Sequence, residues 1–152
     1  MGRIKTLILV MILLMGVGAS RSAHAGDFGL GLVLGEPSGI SAQFGLSDSD
    51  KLNAALGLDT FDDGVLYVHV DYIRHLAVLL DGADVSLPVY VGLGGFLVER
   101  GRIDLGARVP FGLQLDFKQA PLHLFLEVAF KLRIIEDIDT DLDAALGFRY
   151  FF

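Results

Sequence analysis

Cysteine and tryptophan are both absent from the 152 residues. Without cysteine there is no disulfide scaffold, no thiolate metal site, no cysteine nucleophile and no lipid-modified cysteine of a lipoprotein. Basic residues are scarce: 12 Lys and Arg stand against 19 Asp and Glu, giving a net charge of −7 and a pI near 4.8. Such a chain has no basic footprint for nucleic acid, so no nucleic-acid partner is expected. Long apolar runs are also lacking past the first 18 residues, because Gly or a charged residue interrupts every stretch within a few positions. A helical membrane protein, whose spans need about 20 apolar residues, is thereby excluded. What is present is hydrophobicity without runs: 53% hydrophobic residues, a mean hydropathy of +0.56, and 19 Gly.

Part of that hydrophobicity belongs to an export leader. Arg3 and Lys5 are followed by an apolar run from Leu7 to Gly18, and Ala23-His24-Ala25 has the small-x-small pattern that signal peptidase reads. Residues 1–25 are therefore expected to be a signal peptide, and 26–152 the mature domain. The leader carries three basic residues and no acidic ones, leaving nine against 19 and a mature net charge of −10.

The mature chain alternates with period two. From Leu122, one face reads Leu122, Leu124, Leu126, Val128, Phe130 and Leu132, and the other reads His123, Phe125, Glu127, Ala129, Lys131 and Arg133. Six apolar residues on one face with charges on the other make a strand and not a helix. The same unit recurs over Phe28–Leu34, Ile40–Leu46, Lys51–Leu58, Val65–Leu76, Leu87–Val98, Asp104–Phe117 and Asp141–Phe152. In Leu87–Val98 both faces are apolar or Gly, and the parity is ambiguous. The fold class that follows is all-β, an eight-stranded antiparallel up-and-down barrel.

Two closures suit eight such strands: a soluble lipocalin-like barrel around an apolar ligand, or a transmembrane barrel with a polar interior. The polar face is rich in Gly, Ala, Ser and Asn with few charges, whereas a water-facing surface carries many Lys and Glu. A cramped lumen needs small residues and a few charges that pair, which favours the transmembrane closure. Outward Phe28, Phe44, Tyr72, Phe117, Tyr150 and Phe152 then gather towards the end that holds the termini, as an interfacial aromatic girdle.

The ending Gly147-Phe148-Arg149-Tyr150-Phe151-Phe152 resembles the signal by which bacterial outer-membrane barrels are recognised for insertion, with Tyr150 and Phe152 outward. In length and pattern the mature chain resembles the small eight-stranded OmpA/OmpX-type barrels. Gly-Glu-Pro-Ser-Gly at 35–39, His69-Val70-Asp71-Tyr72, Tyr90-Val91-Gly92-Leu93-Gly94-Gly95, Ala107-Arg108-Val109-Pro110 and Phe125-Leu126-Glu127-Val128 are similar to an uncharacterised family of short outer-membrane barrels. That resemblance implies a bacterial outer-membrane location, lipid as surroundings, and the barrel-assembly machinery as a partner of the last strand. It implies no activity.

Eight strands of about 10 residues use roughly 80 of the 127 mature residues. The connections are accordingly short: Glu36–Gly39, Thr60–Gly64, Glu99–Ile103 and Asp137–Thr140 at one end, with Ala77–Ser86 expected as the longest, at the end of the termini. Near mid-barrel, His69, Asp71, Arg108, Glu127, Lys131 and Arg149 face inward and are expected to form one closed polar network that plugs the lumen. A gate that re-pairs to open a narrow pore is the alternative. A hydrolase is not expected, since Ser38, Ser41, Ser47, Ser49 and Ser86 lie mostly in turns and none neighbours a His in register. Asp137, Asp139, Asp141 and Asp143 alternate with other residues but lack the Gly and distant Glu of a calcium loop, so they read as a solvated acidic loop. No catalytic, metal or cofactor site is expected, and a monomer is favoured.

Overall fold

The computed structural model describes residues 27–59, 65–135 and 138–152. The expected leader, the Thr60–Gly64 turn with Asp62 and Asp63, and Asp137 lie outside these residues. Eight strands follow in chain order: β1 Phe28–Gly35, β2 Ser38–Gly45, β3 Asp50–Asp59, β4 Val65–Asp81, β5 Val85–Glu99, β6 Ile103–Phe117, β7 Leu122–Arg133 and β8 Asp139–Phe151. Each pairs antiparallel with the next, and β8 pairs with β1. The sheet is a closed barrel with no free lateral edge.

The register sets its shape. Starting at Leu30, the line of paired residues runs through Ala42, Ala54, Val70, Gly95, Ala107 and Leu132 to Thr140. Leu30 pairs with Tyr150 on β8, so the line closes ten residues away from its start. A stagger of this size tilts the strands by roughly 40° and leaves an interior that side chains just fill. The start of β1, the end of β8 and the β2–β3, β4–β5 and β6–β7 connections share one end, the terminal end; the other is the far end.

Alternation decides what faces where. Leu32, Leu34, Leu93, Leu126, Leu146 and Phe111 point outward and are 51–68% exposed, while Tyr67, Asp71, Arg108 and Arg149 point inward and are at most 2% exposed. The interior is therefore polar and the exterior apolar, the reverse of a lipocalin. On β5 the even residues face inward: Tyr90, Phe96 and Val98 are buried. The three-residue Arg100–Arg102 turn, with Gly101 at φ +77°, joins Glu99 to Ile103 and carries the parity of β6 back into β5.

Two expectations are corrected. Ala77–Ser86 is not a long connection: β4 runs on to Asp81 and β5 starts at Val85, with Gly82–Asp84 between them. The pairing survives there through register shifts at His75/Ala77 and Val78/Asp81, so bulges carry the sheet through a stretch without clean alternation. Asp139, Asp141 and Asp143 are likewise not a loop. They belong to β8, pairing with Arg133, Lys131 and Ala129 of β7.

Outward aromatics meet at the terminal end. The Phe28 and Phe44 rings are 4.8 Å apart, Phe28 and Phe152 6.2 Å, and Tyr150 and Phe152 5.2 Å. Inside, glycines make room for rings on the neighbouring strand. A Cβ on Gly112 would overlap the Tyr90 ring, and one on Gly106 the Phe96 ring.

Candidate functional site

Buried chemistry-bearing side chains converge in the lumen, because every second residue of eight strands is forced into it. All six sequence-selected residues, His69, Asp71, Arg108, Glu127, Lys131 and Arg149, are buried there. The structure divides them into three groups rather than one network.

The central group joins four strands. Arg108 on β6 donates from Nη2 to Glu127 Oε1 on β7 at 2.6 Å, and its Nε lies 3.5 Å from Asp71 Oδ2 on β4. His69 Nδ1 is 3.0 Å from the same Asp71 oxygen. The second Glu127 oxygen accepts from the Tyr90 hydroxyl of β5 at 2.7 Å, over Gly112 of the intervening strand. One guanidinium thus hydrogen-bonds Glu127 and is ion-paired with Asp71, and the first, being charge-assisted, is of the strong kind.

The second group lies nearer the far end. Lys131 Nζ is 2.5 Å from Asp143 Oδ1, with Asp141 at 3.7 Å and Glu36 at 3.9 Å. Tyr67 reaches across the lumen from β4 to donate to Asp143 Oδ2 at 2.6 Å. The ammonium also stands 5.2 Å from the Tyr67 ring centroid and 5.4 Å from that of Phe96, close enough for cation–π attraction.

Arg149 anchors the third group, towards the terminal end, on neutral partners. Its Nε donates to Ser41 Oγ at 2.8 Å, its Nη1 to His123 Nε2 at 3.2 Å, and its guanidinium sits 4.0 Å over the Phe125 ring. Because Arg149 only donates, His123 accepts through Nε2 and, when neutral, carries its proton on Nδ1, which is 3.5 Å from Asp116 Oδ1. Gln114 Nε2 donates to the same carboxylate oxygen at 2.6 Å. A recess of about 230 Å³ opens at this end, lined by Gln43, Lys51, His75, Asp116 and His123 among others.

The expected single network is therefore corrected in its pairing: Lys131 and Arg149 serve other partners than Glu127. Sequence reasoning also missed Tyr90, Asp143, His123 and Ser41. Tyr90 was hidden by the ambiguous parity of β5, which the Gly101 turn would have resolved. Asp143 sits on the inward face of β8 by simple alternation, but its acidic neighbours masked it as loop.

Among the described residues, two sets of ligand-type atoms each lie within 4.8 Å of one another: His69, Asp71 and Glu127, and Glu36, Asp141 and Asp143. Each set already holds a cation of the chain itself, Arg108 in the first and Lys131 in the second. The Asp and Glu oxygens thus face tethered cations of the chain, which offset the cost of burying charge in a narrow lumen.

No protein-family model matches the chain, and comparison with curated protein sequences found no match. Among solved structures, the crystal structure of the N-terminal β-barrel domain of Pseudomonas aeruginosa OprF is similar, with a TM-score of 0.60 and 16% identity over 82% of this chain and 95% of that one. The likeness is one of fold: this chain is a closed, eight-stranded, antiparallel barrel of the kind seen in OprF.

Proposed function

We propose that the chain is a non-enzymatic barrel of a bacterial outer membrane. It is exported by a leader at residues 1–25 and has a structural, envelope-integrity role, its lumen plugged by paired polar groups. One observation carries this reading: the inverted polarity, with an exposed belt of Leu, Val and Phe around a buried core of Arg, Asp, Glu and Lys. In water that belt would be an apolar patch far larger than a soluble monomer carries. Against hydrocarbon it is the favourable face, and closure satisfies the backbone. The fold likeness to the OprF barrel domain supports the reading. Lipid is then the partner of the belt, and the barrel-assembly machinery that of the last strand through Tyr150 and Phe152.

Fractionation and heat-modifiability test it together. The protein should be recovered with outer membranes and migrate differently on a gel before and after boiling in detergent. Its mass should correspond to a chain starting at Gly26. Recovery among soluble periplasmic proteins would overturn the membrane reading, and retention of Met1 the leader.

A narrow pore is the second reading, favoured by the recess at the terminal end. Single-channel recording separates the two, since a plugged barrel conducts little and a pore conducts without mutation.

A further inference from the structure

The barrel wall is uneven. β1 and β2 have eight residues each, whereas β4, β5 and β6 on the opposite side have 17, 15 and 15. The register turns those lengths into heights. The line of paired residues climbs ten residues in eight strand steps, so each step towards β8 raises the level by a little over one residue. Val70, three steps from Leu30, thus lies level with Leu34 at the far end of β1. On that scale the β1–β2 rim sits about three residues, roughly 7 Å along the barrel axis, below outward Leu66 on β4 and Leu105 on β6.

The low corner is sealed in a manner that suits an apolar surrounding. Ser38 Oγ accepts from the Gly35 amide and donates to the Gly35 carbonyl, both at 3.0 Å, and the Glu36 amide donates to the Ala144 carbonyl at 3.1 Å. Pro37 is fully buried, and the Glu36 carboxylate folds inward to 3.9 Å from Lys131 Nζ. Directly beneath, Leu34 and Ile40 point outward at 68% and 52% exposure. A turn meant for water has no need to hide its charge or its backbone; one pressed against acyl chains does.

We propose that the β1–β2 corner is a lipid-compressing surface. Resting on the membrane reading above, it places the leaflet at the far end in a locally thinned state at this corner, because acyl chains adapt their length to the apolar wall they meet. The partner of this surface is the bilayer itself, drawn down by the difference in wall height.

The native absence of cysteine allows a direct test. Single variants Leu34→Cys and Val70→Cys, with Ile40→Cys and Val128→Cys as a second pair at matched level, are spin-labelled and folded into phosphatidylcholine vesicles with 18-carbon chains. Depth is read from collisions with a water-soluble nickel chelate and with lipid-dissolved oxygen. Leu34 and Ile40 should report shallower positions than Val70 and Val128, by several ångströms, and the difference should shrink in vesicles with ten-carbon chains. Equal depths within each pair in the thick bilayer would overturn the compression and leave the membrane reading intact. Shielding of Leu34 from both reagents would mean that a second copy covers the corner, which overturns it as well. Free access of the nickel chelate at all four positions would overturn the membrane reading.

Discussion

At the scale of single residues, the lumen shows how buried charge is tolerated. Arg108 is 1% exposed and survives there because Glu127 and Asp71 both face it. Glu127→Ala would remove the 2.6 Å partner and leave the guanidinium with Asp71 alone at 3.5 Å. Breaking a buried pair from one side costs about 3–5 kcal/mol, which should appear as a lower urea midpoint of the folded barrel. Under the plug reading the same variant should conduct ions in a planar bilayer where the wild type conducts little. An unchanged midpoint and conductance would show that Glu127 does not hold the lumen shut. The inward direction of Glu127, Arg108 and Lys131 was legible in the sequence, since alternation is local. The Arg108–Glu127 pair was within reach too, since β6 and β7 are neighbours, whereas the bonds from Tyr67 to Asp143 and from Tyr90 to Glu127 were not, because they join strands that are not neighbours.

Elements carry a different kind of information. β7 matches its sequence-derived limits, Leu122–Arg133, because six apolar residues in alternation leave no second reading. β5 did not, since Gly and Val occupy both faces and only its hairpin partner fixes the parity. Small residues are there for packing: Gly112 lies under the Tyr90 ring. Gly112→Ala should therefore destabilise the barrel by about 1–3 kcal/mol, the cost of overpacking, measurable by thermal unfolding in detergent. A stabilised variant would contradict the close approach. At the last strand, Phe152 stacks with Phe28 and packs edge-on to Tyr150. Deleting it should lower the yield in the membrane while synthesis is unchanged. Undiminished yield would remove the reason for treating this strand as an insertion signal.

For the whole molecule the decisive property is which surface meets which medium. Leu126 is outward, 51% exposed, and neighbours buried Glu127 in the chain. Leu126→Arg should cost about 2–4 kcal/mol if its level is near the bilayer midplane, without the conductance expected of Glu127→Ala. Unfolding free energies in lipid and single-channel records on the two variants compare them directly. A silent Leu126→Arg would mean that this face meets water, and the apolar belt would then need another explanation.

The sequence by itself determined the class, the strand count and the two faces of nearly every strand, since period two and turn residues act over a few positions. Face composition also favoured a polar interior over a lipocalin-like one, and the burial of Arg108, Asp71 and Glu127 bears that out. Only the tertiary structure decided which charges meet, how far β4 extends past its bulges and how unequal the wall is. These depend on a register that accumulates over eight pairings before the ring closes. A slip of two residues in one pairing would keep every inward face inward yet change which side chains meet across it, whereas a slip of one would turn a face over.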